Sequence, residues 1–107
     1  MLRRDERTLE IYMKAGAKMR LYKTLGAKLF TDISKVISRQ DQEMLLKAMG
    51  RIDRICSRAD DNMFRDHPHL SGEYIDVFYG STDAGPHNDV DKRVIEMAKE
   101  VADGLFA

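Results

Sequence analysis

The fold is decided by residues 41–65, which read DQEMLLKAMGRIDRICSRADDNMFR. Apolar residues recur along this stretch with steps of four, three, four, three and four, at Leu45, Met49, Ile52, Cys56, Ala59 and Met63. This spacing is that of an a/d seam, and it predicts a long amphipathic helix. Ser38 stands where an N-cap is needed, and Asp41 lies near the positive end of the predicted helix. We call the six apolar residues the apolar seam.

The opposite edge of the same predicted helix is basic. Its members, which we call the basic stripe, are Lys47, Arg51, Arg54, Arg58 and Arg65. At 100° per residue they fall within an arc of about 60° opposite the apolar seam. Most of them are arginines, whose planar guanidinium suits bidentate contact with phosphate or carboxylate. The stripe is therefore the predicted binding site for nucleic acid, a phosphate-rich ligand or an acidic protein.

A simpler interpretation of the stripe is a solvated helix face. Glu43 precedes Lys47 by four residues and Asp61 precedes Arg65 by four, which is the favourable order for ion pairs on an exposed helix. No aromatic residue interleaves the stripe, so nucleic-acid bases would have no stacking platform. Both interpretations stay open at the level of sequence.

Residues 1–38 predict a first helix, because apolar residues from Asp5 to about Ile37 are spaced by three and four. A second apolar set falls on roughly the opposite side and includes Leu21, Leu25 and Leu29. The helix therefore either breaks near Thr31 or is covered on both sides. Gly16 and its small neighbour would let another backbone approach closely, which gives a reason for a glycine that costs about 1 kcal/mol in a helix.

The two predicted helices are long for a chain of 107 residues. At 1.5 Å per residue they would span about 50 Å and about 37 Å, whereas a compact chain of this size has a radius of gyration of about 13 Å. An antiparallel hairpin of the two would protrude from such a body and leave apolar surface exposed. We expect a homo-oligomer to cover that surface and complete the fold.

The remaining chain predicts two smaller elements. Residues 71–80 are ambiguous between a short helix and a strand, since their aromatic and β-branched content favours a strand but no second strand is available for pairing. Ser71 as N-cap and Gly80 as stop favour the helix. Residues 88–104 predict a closing helix, which Asn88 would cap and Gly104 would end.

Composition fits a single all-α domain over residues 1–107. Hydrophobic residues make up 43% and charged residues 34%, with only 2 Pro, which is too apolar for a disordered chain and too poor in chain-breaking residues for a β-sandwich. The net charge of zero conceals a division, since residues 1–58 are rich in Lys and Arg and residues 59–107 in Asp and Glu. This division indicates either an acidic partner for the basic half or attraction between the two halves, within a chain or between copies.

Cysteine usage and hydropathy suggest a cytoplasmic protein. The single cysteine, Cys56, cannot form an internal disulfide, which fits a reducing compartment. No apolar run is long enough for a signal peptide or a membrane span, so we expect no membrane partner.

No pattern in the chain is typical of catalysis, a cofactor or a metal. His67, His69 and His87, with Asp66, could converge on a metal ion, but their spacing matches no structural zinc site, and we predict no catalytic residue, no metal and no cofactor. Cys56 lies on the apolar seam and is expected to be buried. An enzyme built around these histidines is the third hypothesis.

The leading hypothesis is a non-enzymatic helical interaction or regulatory protein that presents its basic stripe to an acidic macromolecular partner. The alternative is a protein that binds nucleic acid or nucleotide phosphates through the same arginines.

Overall fold

The computed structural model describes residues 1–82 and 85–105 of the chain. A 3-10 turn at Arg4–Glu6 precedes α1 (Leu9–Ile33), and α2 (Arg39–Asp66) follows after a five-residue connection. A second 3-10 turn, Gly72–Tyr74, leads to α3 (Asp89–Gly104). All the regular structure within these described residues is helical, so the predicted all-α class and the helical hairpin of α1 and α2 are confirmed.

Each of the three α-helices begins with a side-chain cap, which accepts a hydrogen bond from one of the backbone amides of its first turn. Ser38 Oγ accepts from the amide of Asp41 at 3.1 Å, and Asn88 Oδ1 accepts from the amide of Asp91 at 2.8 Å, as predicted for α2 and α3. Thr8 Oγ1 accepts from the amide of Ile11 at 3.3 Å and caps α1.

The end of α1 corrects the expected boundary of the first helix. The helix is continuous through Thr31 but stops at Ile33, four residues before the expected end. Past this point the amide of Val36 bonds the carbonyl of Ile33 at 2.9 Å, so the chain tightens into a turn. The side-chain amide of Gln42 donates to the carbonyl of Ser34 at 2.8 Å, so α2 satisfies one acceptor that the end of α1 leaves open.

Residues 71–80 form neither the full helix nor the strand that the sequence left open. Gly72–Tyr74 make one 3-10 turn, and further turns continue to Tyr79. Val77 and Phe78 from this segment are buried in the core. The segment comes so close to α1 that a Cβ on Gly16 would lie 2.5 Å from the carbonyl oxygen of Val77, which confirms the reason expected for that glycine.

The core lies where the first half of α1, the second half of α2, the 72–80 segment and α3 meet. The buried hydrophobic residues of this cluster are Tyr12, Met13, Ala17, Cys56, Met63, Val77, Phe78, Val94, Met97 and Ala98. The apolar seam of α2 points inward as predicted: Cys56 and Met63 are fully buried, and its other members are half-buried.

The far halves of α1 and α2 form an arm that extends beyond this core. No residue from 27 to 55 is buried, and the molecule measures 47 × 27 × 26 Å. Its radius of gyration is 15.4 Å, compared with about 13 Å for a compact chain of this length. The protrusion that helix length implied is confirmed, whereas the homo-oligomer stays a prediction.

None of the helices in the described part of the chain is long and apolar enough to cross a membrane.

Candidate functional site

The basic stripe lies on the outer face of α2, opposite the buried Cys56 and Met63. All five of its side chains are exposed. Because Lys47, Arg51, Arg54 and Arg58 are separated by four, three and four residues, their Cα atoms run along about 17 Å of one helix edge. Among the described residues, none of these four makes an ion pair or a side-chain hydrogen bond. The four cations are therefore free to contact another molecule.

The carboxylates expected to neutralise the stripe along the helix do not do so. Neither Glu43 with Lys47 nor Asp61 with Arg65 comes within ion-pair distance. Arg65 instead contacts Asn62 at 3.4 Å, and its carbonyl accepts from Arg4 at 3.0 Å. Arg65 thus belongs to the contact between α2 and the N-terminal turn, apart from the other four cations.

Lys47, Arg51 and Arg54 surround a depression of about 320 Å³ whose floor is Gly50. A Cβ added at Gly50 would meet no atom within 4 Å, so the floor is open to solvent. Three cationic side chains around an open floor can place several donors on one anionic group, such as a carboxylate or a phosphate.

The histidines that the sequence singled out are not brought together. His67 Nε2 lies 2.9 Å from the carbonyl oxygen of Arg7, and its ring meets that of Tyr12 edge-on. His87 Nδ1 lies 3.4 Å from Asp76, while His69 is exposed near the end of α2. Within residues 1–82 and 85–105 no group of three or more His, Cys, Asp or Glu side chains is placed to hold a metal ion.

Asp66 has a structural environment that the sequence did not reveal. Its side chain is nearly fully buried, pairs with Arg7 Nε at 2.8 Å and accepts a hydrogen bond from Tyr12 Oη. Burial, together with that hydrogen bond and the charge of Asp66, raises the pKa of Tyr12 to about 12. The phenol is therefore held as a neutral donor, and the cluster ties the start of α1 to the end of α2.

A second buried cluster, centred on Arg20, was not predicted from the sequence either. Arg20 Nη1 lies 2.7 Å from Asp91 Oδ1, and both side chains are almost completely enclosed. The same guanidinium donates to the carbonyl oxygens of Val77 at 3.0 Å and Ser81 at 3.2 Å, and to that of Asp76. One charged side chain therefore donates hydrogen bonds to three carbonyls of the irregular segment between α2 and α3.

A signal for this ion pair was present in the sequence. Arg20 falls among the apolar residues of α1, and Asp91 falls on the same side of α3 as Val94 and Ala98. Two opposite charges on two apolar helix faces indicate a buried pair, since an unpaired buried charge is too costly to keep.

Cys56 is fully buried as predicted, with Sγ 3.9 Å from the carbonyl oxygen of Phe78. A buried thiol against a carbonyl packs as a small apolar group, which places Cys56 in the core and away from the exposed face of α2.

Comparison of the chain with protein-family models, curated proteins and solved structures found no match. Function therefore has to be argued from the residues themselves, and the exposed basic face of α2 is the strongest candidate site.

Proposed function

We propose that this protein is a non-enzymatic interaction protein whose basic face on α2 docks an acidic macromolecular partner. The observation that carries the proposal is the row of four exposed cations, Lys47, Arg51, Arg54 and Arg58, that have no intramolecular partner among the described residues. Four like charges spaced about 6 Å apart along a helix repel one another. An acidic surface would relieve that repulsion.

An acidic protein is favoured over nucleic acid because exposed apolar residues accompany the cations. Met44 and Ile55 are 63% and 59% exposed and lie next to the row around the helix, on the side of Arg51. Apolar contact area adds affinity for a protein surface but has no counterpart on a phosphate backbone. The one aromatic residue of α2, Phe64, lies about 110° around the helix from the centre of the row and packs against the core, so the row offers no platform for stacking bases.

Binding to a defined acidic polypeptide tests the proposal. We expect fluorescently labelled polyglutamate to bind at low salt, and the triple variant R51Q/R54Q/R58Q to bind it about tenfold more weakly, since each exposed ion pair contributes up to about 1 kcal/mol. The matched control K35Q/K92Q/K99Q removes the same charge from exposed positions elsewhere and should retain wild-type affinity. Equal affinity of both triple variants would reject the basic row as the site.

Nucleic-acid binding is the second candidate, because the depression at Gly50 places three cations where a phosphate could sit. If it is correct, affinity for duplex DNA falls steeply with salt, and R51Q/R54Q/R58Q lowers the slope of log K against log salt by about 2 to 3, at roughly 0.9 per phosphate contact. An unchanged slope in that variant would exclude DNA binding through the row.

Two further parts of the proposal concern assembly and compartment. A homo-oligomer remains the other way to cover the exposed arm, and light scattering of the purified protein reports its mass directly. The cytoplasm is the proposed compartment, since its reducing conditions keep the single thiol of Cys56 free.

A further inference from the structure

The hairpin of α1 and α2 has two sides, which the contacts of α2 distinguish. Asp53 lies 3.9 Å from Lys23, and Ser57 accepts a hydrogen bond from the hydroxyl of Tyr79 at 3.0 Å. These contacts identify the side that carries the 72–80 segment. Met44, Ala48 and Ile55 lie about 180° around α2 from Asp53 and Ser57. They therefore occupy the other side of the hairpin, which we call the open side.

The same reasoning places an apolar ridge of α1 on the open side. Arg20 and Met13 direct α1 toward the 72–80 segment and α3, whereas Tyr22, Leu25 and Leu29 lie about 160° from them around the helix. Tyr22, Leu25 and Leu29 are 41%, 66% and 49% exposed. These three residues are large and apolar, and the described chain covers each of them only in part.

Two apolar cavities flank this ridge. Toward α2, the ridge and the half-buried Leu45 and Met49 line a cavity of about 80 Å³. Toward α3, Leu21, Tyr22 and Leu25 line another of about 290 Å³ with Val101 and Leu105. Since both cavities share Tyr22 and Leu25, they adjoin along the ridge and together make one apolar surface across the three helices, which we call the groove. A continuous exposed groove of this kind marks an interaction site on a soluble protein.

The charges that border the groove on α1 and α2 have one sign, whereas the α3 border has both signs, since Glu100 beside Val101 pairs with Arg93 at 3.7 Å. From residue 11 to 29 on α1 the charged residues of the open side are Lys14 and Lys18, and from 44 to 58 on α2 they are Lys47, Arg51, Arg54 and Arg58. An occupant that matches these charges is apolar along its centre and acidic where it meets the cations of α1 and α2. An amphipathic α-helix with carboxylates beside its apolar stripe has that pattern, and such helices bind grooves through side chains at i, i+3, i+4 and i+7.

A second copy of this chain fits the groove less well. If two open sides were stacked about a twofold axis, α2 would cross either α1 or α2 of the other copy, and basic borders would face each other in both arrangements. Like charges brought together in this way oppose association. The acidic helix α3 cannot serve either, because its apolar residues Val94, Met97 and Ala98 are already buried.

We infer that the open side of the α1–α2 hairpin is a helix-binding groove, and that its occupant is an acidic amphipathic helix of another protein. This inference rests on the proposed function, since the cations of α2 form one border of the groove. It adds that the apolar centre, and not charge alone, selects the partner.

Two peptides of identical composition test the inference. One is an amphipathic helix of about 18 residues, five turns, with leucines on one stripe and glutamates on its flanks; the other is its scrambled isomer. We expect the protein to bind the amphipathic peptide about tenfold more tightly than the scrambled one, because only the former can bury its leucines in the groove. Equal affinity for both peptides would overturn the inference.

Variants of the protein locate the binding site. L25S/I55S changes two exposed side chains, so circular dichroism should match the wild type, and its affinity for the amphipathic peptide should fall to that for the scrambled one. V36S is the matched control, since Val36 is 79% exposed in the connection between α1 and α2, away from the groove. A neutral L25S/I55S variant would overturn the inference.

The outcomes separate this inference from the proposed function. If R51Q/R54Q/R58Q weakens both peptides equally while L25S/I55S changes nothing, the basic face binds by charge alone, and only the groove is rejected. If neither variant affects either peptide, both proposals fail. A dimer in light scattering that L25S/I55S dissociates would show that a second copy fills the groove, which would also overturn the inference.

Discussion

Arg20 of α1 and Asp91 of α3 form an enclosed ion pair, with 2.7 Å between Nη1 and Oδ1. The guanidinium also holds three backbone carbonyls of the segment between α2 and α3. Beside its own backbone turns, the irregular segment thus relies on a side chain about 57 residues earlier in the chain to satisfy these three carbonyls.

Removal of one member of the pair should be strongly destabilising. R20M leaves the Asp91 carboxylate buried without its counter-charge, and we expect the free energy of unfolding in urea to fall by about 3–5 kcal/mol. R20M/D91L removes both charges and should cost less than the sum of the two single changes. D89N, at an exposed position of α3 two residues before Asp91, is the control and should change little. A loss below about 1 kcal/mol for R20M would contradict the assigned role of the pair.

Acid should weaken the fold through Asp91. Burial favours the neutral acid, but the amide of His87 and the guanidinium of Arg20 outweigh it and hold the pKa of Asp91 below its usual value. Because the folded pKa is depressed, the stabilisation is fully present above the unfolded value of about 3.9. It is lost as pH falls through the folded pKa. We expect urea unfolding of the wild type to become easier below about pH 4, and D91N to lack that part of the pH dependence.

The Tyr12 hydroxyl should titrate late. Its pKa is raised to about 12, first by burial and then by Asp66, so its phenolate absorbance should develop near that pH in the folded protein. Since the folded pKa is raised, the corresponding stabilisation is complete below the unfolded value of about 10 and is lost as pH rises through 12. Y12F should remove the late-titrating component and cost about 1 kcal/mol at neutral pH. Y22F, at an exposed position, is the control and should keep the late-titrating component. Loss of that component in Y22F but not in Y12F would contradict the assignment.

Two glycines of the long helices should respond oppositely to alanine. G16A places a Cβ 2.5 Å from the Val77 oxygen and 2.7 Å from its Cγ1, so the 72–80 segment would have to move. We expect a loss of about 1–3 kcal/mol, as for overpacked cores. G50A meets no atom within 4 Å and should stabilise α2 by up to about 1 kcal/mol. Thermal melts measure both, and a stable G16A would mean that the segment is not held against α1 as described.

The sequence was sufficient for α2 because one repeating pattern determines that helix. Its seam packs against α1 and meets the 72–80 segment at Cys56, and the side chain of Ser38 marks its start. Helix α1 was harder to interpret, because it contacts α2 on one side and the 72–80 segment and α3 on another. Its apolar residues therefore spread around the helix, and the local pattern could not locate its end at Ile33.

The buried clusters depend on long-range contacts that local patterns do not contain. The carbonyl oxygens of Asp76 and Val77 can be buried because Arg20 donates to them, and no residue near them in the chain indicates this. Tyr12 and Asp66 likewise meet across 54 positions. For the candidate site, the sequence identified the cations of α2, whereas the open side of the hairpin required the contacts of Asp53 and Ser57 to define it.

The arm from residue 27 to 55 contains no buried side chain, and this affects how the chain opens. Local opening of helices costs least where few apolar contacts must be broken, so amide hydrogens of the arm should exchange with solvent well before those around Cys56 and Val94. The N-terminal half of α2, with Lys47, Arg51 and Arg54, lies in that easily opened part. A ligand that binds only the closed arm would raise the free energy of opening by its full binding free energy and so slow exchange there. The exchange rates of these amides could therefore serve as a sensitive assay for candidate partners.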